Sequence, residues 1–206
     1  EWMRRMFEPY YHDRVVAWPV GIDTDLWSPA IKEKPEFDFL IYDKVRWEHE
    51  HYDDELIDPI CRVLDKHGLT YQFIKYGSYH PDELLNKVKK AKSVIFLCEH
   101  ETQGLAYQQI LATGTPVLVW ERGGYWQDPY FYPGKVKFEP VSTVPYWDER
   151  CGLKFKGMAD FEAQLFNFNA GRPDFRPRDY ITENLTLEKC AIKYADIYKQ
   201  VLEEQH

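Results

Sequence analysis

The sequence predicts an α/β fold, a parallel sheet with helices on both faces. Two observations predict it: short apolar runs rich in β-branched and aromatic residues recur along the chain, and helix-spaced segments lie between them. Strands alternating with helices fold as right-handed βαβ crossovers, which leave neighbouring strands parallel.

The first run is Phe37 to Tyr42. Behind it Leu56, Ile60, Val63 and Leu64 form a helical stripe ended by Gly68. Pro59 either bends that helix or marks its start, because proline lacks the N–H and crowds the preceding turn. Thr70 to Ile74 is the second run, followed by a helix over Pro81 to Lys90 with proline in its first turn and Leu84, Leu85 and Val88 inward. Ser93 to Leu97 leads into a helix over Thr102 to Thr113 that Gly114 closes, and Pro116 to Trp120 is the fourth run. All four runs are expected to be apolar on both faces, as buried parallel strands are. Gly123 to Cys151 breaks the alternation, with Tyr125, Trp126, Tyr130, Phe131, Tyr132, Tyr146 and Trp147 among prolines. It reads either as a functional loop or as a rim packed on a further domain. From Leu187 through Cys190, Ala191, Tyr194, Ile197, Tyr198 and Val201 to Leu202, one sustained stripe predicts a long final helix.

Composition narrows the function classes. With 44% hydrophobic and 29% charged residues the chain is an ordinary globular protein. A formal net charge of −8 disfavours a nucleic-acid partner, which needs a basic face, and leaves nucleotide binding open. No apolar run approaches the ~20 residues of a membrane span. The first residue is Glu1 rather than Met, which reads as a fragment or processed product. Cys61, Cys98, Cys151 and Cys190 form no C-x-x-C pair. They read as core thiols of a reducing, cytoplasmic compartment, which makes the Asn184-Leu185-Thr186 sequon a chance match. No dinucleotide or P-loop glycine motif occurs, and no nucleophile elbow. His49-Glu50-His51 could chelate a metal but reads more simply as exposed capping residues, and no metal is expected.

In doubly wound sheets ligands sit beyond the carboxyl ends of the strands. That selects the loops Asp43 to His51, Tyr76 to His80, Glu99 to Gly104 and Glu121 to Asp128. The segment from Cys98 to Gln109 is the most informative. A buried strand ends in Glu99 and Glu101 and turns into a helix whose first turn holds Gly104. Free N–H groups and the helix dipole there suit a diphosphate, and a carboxylate just before suits sugar hydroxyls. Taken alone, Glu101 reads more simply as a helix cap, and Gly104 reads as helix–strand packing.

Glu101-x-x-Gly104-Leu105, continuing to Ala112-Thr113-Gly114-Thr115-Pro116-Val117, resembles the E-x7-E region of retaining GT-B glycosyltransferases. Upstream, the run from Trp18-Pro19-Val20-Gly21-Ile22-Asp23 to Trp27-Ser28-Pro29 resembles the P-N-G-V-D segment that enters their C-terminal domain. The resemblance implies the Rossmann-like donor half of such an enzyme, binding a nucleotide-diphosphate sugar for retaining transfer without a metal. It implies that Glu101 contacts the donor sugar and that Lys44 and Arg46 face the diphosphate. It further implies that Thr102, Gln103, Gly104 and Leu105 offer amides to phosphate, and that Tyr76, Gly77 and Tyr79 lie near the base. The family's second Glu falls on Gln109, which keeps hydrogen bonding to ribose and loses the charge. The Asn before the glycine is replaced by Val20. Residues 1–29 are then expected to end an acceptor domain and form the linker, 30–175 to be the donor domain, and 176–206 to cross back as helices. The acceptor domain, in the same or a partner chain, would be the required partner, leaving this half inactive alone. A non-catalytic nucleotide-sugar-binding or assembly module is the alternative, and an enzyme acting on nucleotide sugars without transfer is a third.

Overall fold

Five strands pair in parallel in the computed structural model, which describes residues 2–203. Helix α1 (Trp2–Tyr11) comes first, and strand β1 (Phe37–Lys44) opens the sheet. Next come α2 (His49–Tyr52), α3 (Asp58–Lys66), β2 (Tyr71–Lys75), α4 (Pro81–Lys90) and β3 (Ala91–Cys98). Then follow α5 (Leu105–Ala112), β4 (Val117–Trp120), β5 (Gly152–Phe155) and α6 (Met158–Gly171). Two further helices, α7 (Pro177–Asn184) and α8 (Leu187–Glu203), end the described chain. The strand order is β2-β1-β3-β4-β5, so the architecture is an α/β Rossmann-like parallel sheet.

Period-two alternation divides the strands between two cores. Leu40, Tyr42, Val94, Phe96, Val117 and Val119 share one buried cluster with Leu84 and Val88 of α4 and Tyr107, Ile110 and Leu111 of α5. On the opposite face Phe39, Ile41, Ile95, Leu97, Leu118 and Trp120 pack with Ile60 and Leu64 of α3 and Phe161, Leu165 and Phe168 of α6. Each such side chain contributes about 1.5–3 kcal/mol on burial. Ile181 and Leu185 join the first cluster together with Ile22 and Trp27.

Several elements differ from those expected, and Pro59 takes the second of its two expected places. Strand β2 is not apolar on both faces: only Ile74 is buried, because β2 is an edge strand and Gln72 and Phe73 are open to solvent. Strand β5 and helix α6 were not anticipated. The run Gly-Leu-Lys-Phe is too short to signal a strand, yet Gly152 lets it pair. A Cβ there would lie 2.0 Å from the Val117 carbonyl oxygen. Helix α5 starts at Leu105 rather than Thr102, because Gly104 takes a left-handed φ of 75° and sits before the first turn, not in it. Pro59 lies in the first turn of α3, where its missing N–H costs little, and a π turn over Asp53–Ile57 carries the helix in from α2. In α8 the stripe is mostly open: Cys190 is buried, while Leu187, Tyr194, Tyr198, Val201 and Leu202 are exposed.

Part of the proline-rich region is core. Val141, Thr143 and Val144 are buried, and Thr143 Oγ1 lies 2.9 Å from the carbonyl oxygens of both Cys98 and Trp120. That extended stretch therefore runs across the carboxyl ends of β3 and β4. Trp2 and Met6 of α1 pack on Val141.

Candidate functional site

The order 2-1-3-4-5 sends the crossovers from β1 and β3 in opposite directions, and a crevice opens where they part. Lys44 ends β1 and is paired in register with Cys98, the last residue of β3. A cavity of about 340 Å³ occupies this crevice, within the range of small-molecule sites. Lys44, Tyr76, Tyr79, Glu101, Gln103, Gly104, Leu105 and Gln109 line it. Arg46, Gly77 and Thr102 do not.

Glu101 is held from three sides. Its N–H donates to the Ser142 carbonyl at 2.9 Å, and its own carbonyl accepts from Trp2 Nε1 at 2.6 Å. Its carboxylate forms an ion pair with the Lys44 ammonium. That ammonium also lies 4.3 Å from the centre of the Tyr76 ring, a cation–π contact on the cavity wall. Tyr79 hydrogen-bonds the buried Tyr42 hydroxyl at 2.8 Å. Burial, and after it that hydrogen bond, pushes the Tyr42 hydroxyl well above the usual tyrosine range, so it stays protonated. The Gln109 side chain forms no hydrogen bond among the described residues and faces the cavity with a free donor and acceptor.

Gly104 fits because nothing else can. A Cβ there would lie 1.9 Å from Cε1 of the fully buried Tyr107. Gln103 faces the N-terminal segment as well as the cavity. Its amide accepts from the Val20 N–H at 3.1 Å and donates to the Trp18 carbonyl at 3.0 Å. Thr102 is exposed and borders a second hollow of about 380 Å³ with Trp18 and Tyr146.

Arg46 is exposed, its guanidinium 4.7 Å from the Trp47 ring. The N–H groups of Arg46 and Trp47 donate to Glu99 Oε1 at 2.7 and 3.0 Å. Glu99, only 1% exposed, is therefore a clamp on the loop after β1. His100 is buried among the rings of Trp2, Trp47 and Trp126. Burial, then the charges of Arg46 and Arg122, pull its pKa down to about 4, so it is neutral near pH 7.

His49 is not a simple exposed cap. Its Nε2 lies 2.7 Å from Asp43 Oδ2 and its Nδ1 lies 3.0 Å from Asp53 Oδ2. The N-cap of α2 is Glu48, at a φ of 52°. His51 is half exposed and pairs with Glu55 instead. Among the described residues no group of three His, Cys, Asp or Glu side chains is placed to hold a metal.

Sequence reasoning missed five lining residues, Trp27, Tyr42, Pro81, Leu84 and Ala106. Tyr42 had a signal, since period two along β1 places it on the face that carries Lys44. Leu84 is one of the side chains expected to point inward from α4. Trp27 is brought in by the packing of residues 22–27 on α7, where Arg178 donates to the Thr24, Trp27 and Ala112 carbonyls.

Among the described residues no helix is long and apolar enough to cross a membrane. No protein-family model matches the chain, and no curated protein matches its sequence. Among solved structures it is similar to a chain of the "Crystal structure of GtfA/B complex", at 16% identity and a TM-score of 0.46. The match covers 84% of this chain and 37% of that one, so the chain spans well under half of its neighbour's length.

Proposed function

We propose that this chain is the donor-binding half of a GT-B-type glycosyltransferase and that the crevice between β1 and β3 takes a nucleotide-diphosphate sugar. The observation that carries the proposal is the Lys44–Glu101 ion pair set in the cavity at the sheet's switch point. A cation and a carboxylate, each the other's counter-ion, can exchange partners for a ligand that is anionic at one end and rich in hydroxyls at the other. A diphosphate would take the Lys44 ammonium. Glu101 would then accept hydrogen bonds from sugar hydroxyls, so neither charge is left buried without a partner.

In transfer, the bond between the anomeric carbon and the phosphate oxygen breaks, and its electron pair leaves with the nucleoside diphosphate. The acceptor hydroxyl oxygen bonds to that carbon and gives its proton to the departing diphosphate oxygen. Lys44 and the N–H groups opening α5 would stabilise the charge growing on the leaving group. Tyr76 and Tyr79 would border the base, and Gln109 would meet ribose hydroxyls as a neutral donor and acceptor. No metal is required in this scheme. Retention of configuration and an acceptor domain held elsewhere belong to the same proposal.

Calorimetric titration with UDP, GDP and ADP, then with sugar conjugates of whichever binds, tests it. Binding of one base that falls tenfold or more on Lys44→Ala is expected. Glu101→Ala is expected to weaken the sugar conjugate more than the bare nucleotide, and equal loss would count against its assigned role. Failure of all three nucleotides to bind would overturn the proposal. The second reading, a non-catalytic binding or assembly module, is favoured by Gln109 standing where the family carries a carboxylate. Turnover by the complete parent protein, with and without Gln109→Glu, separates the two.

A further inference from the structure

Residues 15–22 form a strap between α8 and the loop that carries Glu101. On the α8 side, Trp18 Nε1 donates to the Cys190 carbonyl at 2.8 Å, and Ile22 bridges to Thr186. The strap lies so close that a Cβ on Gly21 would come 2.5 Å from the Leu187 Cα. On the site side both halves of the Gln103 amide are engaged, with the Trp18 carbonyl and the Val20 N–H. Further upstream, Trp2 Nε1 donates to the carbonyl of Glu101 itself, and Trp2 is 1% exposed.

We propose that Gln103 and Trp2 are positioning residues through which the N-terminal segment, α1 and the strap together, sets the geometry of the Glu101 loop, and through it regulates the cavity. The argument is one of satisfied donors. The peptide on either side of Glu101 is fixed at its N–H by Ser142 and at its carbonyl by Trp2. Two residues on, Gln103 extends the same loop into the strap, and Gln108 Nε2 holds the Gln103 carbonyl. Loop and strap therefore share their hydrogen bonds: if one moves, buried or half-buried donors on the other lose their partners. Two elements that share partners in this way have a coupling free energy, and coupling is reciprocal. A ligand that holds the Glu101 loop would order the strap, and any contact that displaces the strap or α8 would weaken ligand binding. That regulatory consequence rests on reading the cavity as a ligand site, whereas the mechanical link does not.

Amide hydrogen exchange on the whole chain tests the link without ligand. Trp2→Phe keeps an aromatic ring against His100 and Phe138 and removes the donor together with part of the buried ring volume. Gln103→Met keeps side-chain length and removes both hydrogen bonds. Trp2→Phe is expected to speed exchange at the Val20 amide about two- to tenfold, although Trp2 has no hydrogen bond to it, and Gln103→Met to do the same at the Glu101 amide. Gln103→Glu, which keeps the acceptor for Val20, is expected to fall between Gln103→Met and the parent chain at Glu101. Unchanged exchange at these second positions would overturn the proposal even if both variants lose stability. The second readout is affinity for UDP, GDP and ADP, expected to fall by a similar factor in Trp2→Phe. Loop exchange that rises while affinity holds would overturn the regulatory half. Absence of nucleotide binding by the parent chain would overturn the proposed function and that half with it, while exchange still decides the positioning role.

Discussion

Lys44, the last residue of β1, neutralises Glu101, three residues past the end of β3, with only 12% and 10% of their side chains exposed. Removing one partner leaves the other charge poorly hydrated and without compensation. Lys44→Met is expected to destabilise the chain by about 3–5 kcal/mol. The double variant Lys44→Met, Glu101→Gln is expected to cost less than the sum of the two single changes by more than about 1 kcal/mol. Denaturant melts of the four chains check this, and additive costs would mean that the pair contributes no coupling.

Two glycines in the crevice loops separate backbone strain from crowding. Gly77 and Gly104 have nearly the same φ, 77° and 75°. A Cβ at Gly77 meets nothing within 4 Å, whereas at Gly104 it meets the Tyr107 ring. Gly77→Ala is expected to cost about 1–2 kcal/mol from the left-handed conformation alone. Gly104→Ala adds overpacking of a further ~1–3 kcal/mol, since Tyr107 is fully buried and its hydroxyl is held by Tyr146. Equal costs in thermal melts would refute the crowding argument.

A pH dependence follows from His49. Burial lowers its pKa, but hydrogen bonds and charge from Asp43 and Asp53 outweigh that and hold the pKa above the ordinary value. The folded state thus binds the proton more tightly than the unfolded state. The resulting stability is fully present below about pH 6.5, the unfolded value, and is lost as pH rises through the raised folded pKa. The Tm difference between the parent chain and His49→Gln should therefore shrink from about pH 5.5 to 8.5. A difference that stays flat, or grows with pH, would rule this out.

Arg178 gathers three carbonyls from two separate parts of the chain, Thr24 and Trp27 in one and Ala112 in the other. A lysine has a single nitrogen and no planar fork. Arg178→Lys is accordingly expected to lose about 1–3 kcal/mol and to loosen Trp27 in the cavity wall. Tryptophan fluorescence and a melt would read both effects, and full retention of stability by lysine would contradict the fork geometry.

Alternation of apolar runs with helical stripes made the parallel sheet legible, because burial on both faces leaves the same mark whatever the neighbours are. Strands β1, β3 and β4 carry that mark. Strand β5 does not: it is made by Gly152, whose missing Cβ permits pairing with Val117, and that fact belongs to the partner strand. The edge position of β2 was hidden for the same reason, since exposure of Gln72 and Phe73 depends on there being no strand beyond them. The start of α5 was misplaced because glycine allows either sign of φ, and which one Gly104 takes beside Tyr107 is not written in its residue type.

By itself the sequence determined that β1 to β4 form, which loops lie at their carboxyl ends, and that Glu101 stands on one of them; Lys44, Tyr76, Tyr79 and Gln109 were singled out by the family resemblance. Residue type and spacing are local properties, and they suffice for that much. Only the tertiary structure decided that Lys44 meets Glu101, that Arg46 stays outside, and that Gln103 faces the strap as well as the cavity. Those outcomes depend on register between β1 and β3 and on segments more than eighty residues apart in the chain, such as Val20 and Gln103. A hydrogen bond of that span leaves no periodic trace, because its two partners are chosen by packing and not by neighbours in sequence.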